Sequence, residues 1–166
     1  MKTGAILLAL MAASRLASAQ HTGHDSTKAT GDSAFHAMQH RGHAAMGVDQ
    51  YTSAHAFQSL PDGGRIELQR QADDSAGVSQ IRRHLKEITN AFRAGDFSTP
   101  AMVHAMKVPG AEVMAAKKSA IRYEFRELPG GGEVRIFTAD PEALRAVHEF
   151  LAFQRTDHRT GGGPGH

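Results

Sequence analysis

The chain has no cysteine, which excludes disulfides, thiolate metal centres, a cysteine nucleophile, a Cys-x-x-Cys-His haem attachment and the acylated cysteine of a lipoprotein. Long apolar runs are missing too. Residues 5–13 are apolar, but Arg15 interrupts the stretch and it is too short to cross a bilayer, so no transmembrane segment is expected. No His-Glu-x-x-His pair, Gly-x-Ser-x-Gly elbow, strand-borne His-x-His or two-His-one-carboxylate pattern occurs, which removes the common signatures of zinc proteases, serine hydrolases and non-haem iron oxygenases.

What the first residues do contain is an export pattern. Lys2 supplies a positive start, residues 5–13 an apolar centre, and Ala17, Ser18 and Ala19 a small-residue cleavage site. Cleavage near Ala19 predicts a periplasmic or secreted mature chain of 147 residues, enough for one domain. Removal of the leader also takes away Lys2 and Arg15. The 19 Lys and Arg of the whole chain thereby become 17, matching the 17 Asp and Glu. A mature protein of zero net charge has no electrostatic support for binding nucleic acid.

Histidine is plentiful, with 11 in the chain. Residues 20–50 are rich in Gly, Ser, Thr, Asp and His without a hydrophobic period, which predicts a disordered arm. His21 and His24 read as part of a solvated linker. His36, Met38, His40, His43 and Met46 admit two readings, a linker or a metal-collecting segment, because imidazole and thioether together suit copper.

Beyond the arm the pattern is periodic. Residues 51–60 and 65–69 alternate as strands around the turn Pro61-Asp62-Gly63-Gly64, and a helix follows from the acidic start Asp73-Asp74 to about Arg93. Its apolar stripe is Ile81, Leu85, Ile88 and Phe92, with His84 at the edge and Gly95 as the stop. Residues 96–119 read as a long connection. If extended, it would put Met102, His104 and Met106 on one face, either as a soft-metal site or as half-buried core filler.

Residues 120–128 and 133–137 form a second hairpin around Pro129 and Gly130–Gly132. Asp140 and Pro141 then open a last helix carrying His148 and His158. Residues 161–166 read as a flexible tail. The segment from Phe57 to Leu68 repeats from Phe125 to Ile136 at an offset of 68, with Phe, Leu, Pro and the turn glycines recurring. With Ile81 set against Leu144, a helix follows each hairpin. This duplication predicts an α+β fold, ββαββα, with a four-stranded antiparallel sheet and two helices on one face, over residues 51–160. Side-by-side helices would bring His84 towards His148. His55 takes the hairpin position of Tyr123, so any site is asymmetric.

Several stretches taken together resemble a group of small secreted bacterial proteins of uncharacterised function. They are residues 43–50, His55-Ala56-Phe57, residues 81–85, residues 95–97, His104 before Val108-Pro109-Gly110, residues 146–154 and residues 157–161. The resemblance covers most of the mature chain and brings no established activity. It implies a histidine doublet where this chain has His55-Ala56, so a doublet ligand is incomplete here.

Export, many histidines and no thiol point to an exported metal-binding protein, with copper first and zinc as the alternative. The expected ligands are His55, His84, His104, His148 and His158, with His43 and Met46 closing the site from the arm. A histidine beside a core is also a common hydrogen-bonding residue, and that reading stands for each one singly. Two other functions fit the composition. One is a small ligand- or partner-binding module using the open sheet face, and the other a His-dependent hydrolase.

Overall fold

The computed structural model describes residues 25–47, 53–71 and 73–160. The expected leader, His21, His24 and the tail at 161–166 lie outside the described residues, as does the side chain of Met46. In chain order the elements are helix α1 (Asp25–Met46), strands β1 (Ala54–Leu60) and β2 (Gly63–Gln69), and helices α2 (Ser75–Ala94), α3 (Ser98–His104) and α4 (Ala111–Ala116). A short 3-10 turn (Lys118–Ala120) leads to strands β3 (Ile121–Leu128) and β4 (Gly131–Thr138) and helix α5 (Pro141–Asp157). The fold is α+β, with one antiparallel sheet in the order β1-β2-β4-β3.

Each hairpin closes over two residues, Pro61-Asp62 and Pro129-Gly130, at equivalent places in the repeat. The offset of 68 equates Ile66 with Val134, and these two are direct register partners between β2 and β4. The pseudo-twofold axis therefore passes through that pair. Gly64 and Gly132 are likewise equivalent, and both lie under a helix. A Cβ on Gly64 would sit 2.2 Å from Leu151 Cδ1, and one on Gly132 2.7 Å from Phe125 Cε2 and 3.2 Å from Leu85 Cδ1. The missing side chains let the helices come down onto the strands.

The two long helices begin and end as their sequences predict. Asp74 accepts from Gly77 N, and Asp140 accepts from Glu142 N and Ala143 N ahead of Pro141. Gly95 closes α2 at φ 81°, where a side chain would be strained. Burial at Ile81, Leu85, Ile88, Thr89 and Phe92 has the same spacing as burial at Ala143, Val147, Phe150, Leu151 and Gln154. Ile81 is therefore equivalent to Ala143, one residue from the alignment suggested by the sequence, and His84 to Ala146. Helix α5 lies on β1 and β2 while α2 lies chiefly on β3 and β4, so each helix covers the other repeat's hairpin. Phe92, Phe97 and Phe150 meet between them, with Phe92 and Phe97 stacked at 4.5 Å.

Two expectations for irregular chain are corrected. Residues 25–46, within the arm predicted to be disordered, are helical. The helix has few apolar anchors, but Met38 is 2% exposed and Arg41 donates from Nε to the Val103 carbonyl. Arg159 also bonds Asp32 and lies 4.2 Å from the Phe35 ring. Tertiary docking supplies what composition does not. Residues 96–119 contain α3, α4 and the start of the 3-10 turn, so Met102, His104 and Met106 do not share an extended face. Met102 and Met106 are exposed and His104 is buried.

The sheet face away from the helices is not apolar. Arg65 bridges Glu67 and Glu133, Arg126 reaches Glu124 and Glu133, and Arg122 and Arg135 flank the Phe137 ring. A face covered by ion pairs gives an apolar partner little to bind.

Candidate metal centre

Four of the predicted histidines come from four different elements to one cavity. Because β1 alternates and Phe57 faces the helices, His55 two residues earlier faces them too. His84 flanks the buried stripe of α2, three residues from Ile81 and four from Ile88. His104 is the last residue of α3, and His158 follows the last residue of α5. The cavity, about 80 Å³, is lined by all four together with Leu68, Leu85, Ile88, Phe92, Phe150 and other apolar groups. Ring centroids lie 5.1 Å apart for His104 and His158, and 5.7 Å apart for His55 and His158.

The electrostatics follow from the apolar walls. Burial, reinforced by the neighbouring His84, lowers His55 to about 4. Burial, reinforced by His55 and His104, lowers His158 to about 3. His84 is lowered as well, chiefly by burial and against an opposing pull from Glu87. All three rings are neutral near pH 7, the form that offers a nitrogen lone pair. His84 has no hydrogen-bond partner among the described residues. The His55 Nε2 lies 2.9 Å from Ser53 Oγ. If that nitrogen carries the proton, Nδ1 is left with the lone pair.

His104 is held differently. Its Nδ1 bonds the Asp157 carboxylate, and its Nε2 is 2.9 Å from Gln154 Oε1. The carboxylate contact fixes the ring and its tautomer in the way that outer carboxylates orient metal-binding histidines. The Gln154 amide can present either its oxygen or its nitrogen to Nε2 on turning over. Gln154 and Ser53 were not singled out from the sequence, and Asp157 was not paired with His104. Gln154, Asp157 and His158 are spaced i, i+3 and i+4 at the end of α5, and that spacing on one helix face was the available signal.

Among the described residues, two non-glycine positions have positive φ, Ala105 at 53° and Arg159 at 54°. Each directly follows a cavity histidine. The left-handed turn ends α3 at His104 and turns the chain just past His158.

The other predicted ligands lie elsewhere. His148 does not line the cavity that His84 lines. Its Nε2 is 2.9 Å from the Leu60 carbonyl and 3.1 Å from that of Gly63, so it donates across the β1–β2 turn and braces the hairpin. The reason is the sheet's antiparallel geometry, which sets α5 on β1 and β2 with the middle of the helix over the turn. His43 is on the outward side of α1 and does not line the cavity. No carboxylate lines it either. Among the described residues, no three His, Asp or Glu side chains are already drawn into joint reach of one ion. Compared with known proteins, the chain matches no family model, no curated protein and no solved structure.

Proposed function

We propose that this chain is an exported metal-binding protein that takes copper, or failing that zinc, in the cavity between α2 and α5. The observation that carries the proposal is the convergence of four imidazoles on one cavity, three of them kept neutral by burial. The donor set fits such an ion. Imidazole suits copper and zinc, and the absence of lining carboxylates disfavours calcium and magnesium. His55, His84 and His158 are the first ligands. His104, oriented by Asp157, becomes the fourth when Gln154 gives up its Nε2. A bound ion supplies either storage or a Lewis-acidic and redox-active centre. This chain's own part is to hold neutral imidazoles away from water.

The test is calorimetric titration of the mature protein with Cu(II), Cu(I) and Zn(II), alongside His55→Ala/His158→Ala. Loss of roughly 100-fold in affinity in the double variant supports the cavity site. Binding no tighter than that of a peptide spanning residues 20–47 sinks it.

The Asp157–His104 pair is also the geometry of a carboxylate-oriented general base, which keeps a hydrolase as the second reading. Among the described residues, however, no serine or threonine hydroxyl is hydrogen-bonded to His104, so a nucleophile would have to be a bound water.

A further inference from the structure

Helix α1 carries histidines that the cavity does not use. His36, His40 and His43 are spaced four and three residues apart, so one helical face holds them within roughly 60°. All three are exposed, while Met38, Gln39 and Gly42 are buried on the docked side. Arg41 bonds the Val103 carbonyl from the docked side, and Arg159 reaches Asp32 at the N-terminal edge of the histidine face. Asp32, one turn before His36, is engaged by that arginine.

Residues at i and i+4 on a helix have Cβ atoms about 5–6 Å apart, and two imidazoles so placed can reach one ion. We propose that the outer face of α1 is a second, solvent-exposed metal site. It takes one divalent ion on His36 and His40, with His43 able to replace His36 as the partner of His40. With two imidazoles and water as ligands, Cu(II) binds ahead of Ni(II) and Zn(II). The site is shallow and exchanges readily, in contrast to a buried centre. The ion also links successive turns of a helix that lacks a continuous apolar stripe, so binding stiffens α1. This second site does not depend on the cavity reading.

His40 belongs to both pairs, and His36 and His43 are about 10 Å apart along the axis, too far to share an ion. The experiment is Cu(II) titration of the full mature chain in four forms: wild type, His40→Ala, His43→Ala and His55→Ala/His158→Ala. Stoichiometry is read together with amide exchange over residues 33–44. His40→Ala should lose one equivalent and the copper-induced protection of α1, His43→Ala should keep both, and the cavity variant should lose only the cavity ion while keeping the protection of α1. If the cavity reading fails while this one holds, wild type binds one ion fewer than the two sites require, and the cavity variant is unchanged. Wild-type stoichiometry and protection in His40→Ala overturn the α1 site. The substitution is on an exposed helical position where alanine is well tolerated, so folding does not confound it.

Discussion

The two repeats share a frame and differ in what they enclose. On the first, β1 offers His55 and α2 offers His84 to a cavity roofed by α3. At the equivalent places on the second, β3 has Tyr123 and α5 has Ala146, and the space is filled by Tyr123, Val134, Ile136, Val147 and Met114, each no more than 1% exposed. The sheet, the turns and the glycines under the helices are common to both. The difference teaches that the scaffold needs neither histidine. Two substitutions relative to the other repeat, plus the short helix α3, open one side of a symmetrical frame and line it with imidazole.

The largest expected effect compares the walls. Leu68 borders the cavity and Ile136, its repeat equivalent, is fully buried. Ile136→Ala should cost about 4 kcal/mol and Leu68→Ala about 2, because a residue already facing a void loses fewer contacts. Equal costs in urea denaturation would mean that the two sides are equally filled.

Next comes acid. His55 and His158 are lowered to about 4 and about 3 from 6.5, so the unfolded chain takes up their protons first. Stability is complete above pH 6.5 and is lost as pH falls through 6.5 towards 4. The slope approaches about 2.7 kcal/mol per pH unit near pH 5 when two rings contribute. Denaturation of the metal-free protein at pH 7.5, 5.5 and 4.5 checks this. His55→Phe should flatten the dependence, and an unchanged slope would put the acid sensitivity elsewhere.

His148 sharpens the comparison by standing outside it. His148→Ala should lower stability by about 1–2 kcal/mol through the carbonyls of Leu60 and Gly63, while leaving metal affinity at the wild-type value. A change in metal affinity would bring His148 back into the site.

The smallest effect is on the closed side. Tyr123 is buried, its hydroxyl has no hydrogen-bond partner among the described residues, and burial pushes the phenol well above its ordinary range. Tyr123→Phe removes an unsatisfied group at nearly constant shape and should raise stability by about 1 kcal/mol in thermal melts. A loss of stability would show that the hydroxyl has a partner.

The hairpins, the long helices and their caps could be read from local chemistry: Pro- and Gly-rich turns after Leu60 and Leu128, an aspartate before each long helix, apolar residues at helical spacing. The convergence of His55, His84, His104 and His158 could not, because no spacing in sequence encodes a cavity assembled from four elements. The His104–Asp157 bond joins residues 53 apart and had no local signal. Helix α1 was missed because its docking rests on one buried methionine and long arginine contacts rather than on a continuous apolar face. His148 was misplaced for a different reason. Side-by-side helices were expected to bring it towards His84, but α5 sets it over the β1–β2 turn instead.

The exchange of helices between repeats has a consequence for how the chain is made. During synthesis β1, β2 and α2 emerge first, yet the strands that α2 covers are still some thirty residues away in sequence, and the helix that covers β1 and β2 is the last to appear. Neither repeat can close a core alone, so the growing chain stays open until α5 is complete and then folds as one cooperative unit, at the pace of contacts distant in sequence. A ribosome-stalled chain ending before residue 141 should therefore be as protease-sensitive as the unfolded protein, with the histidine cavity absent until the final helix arrives.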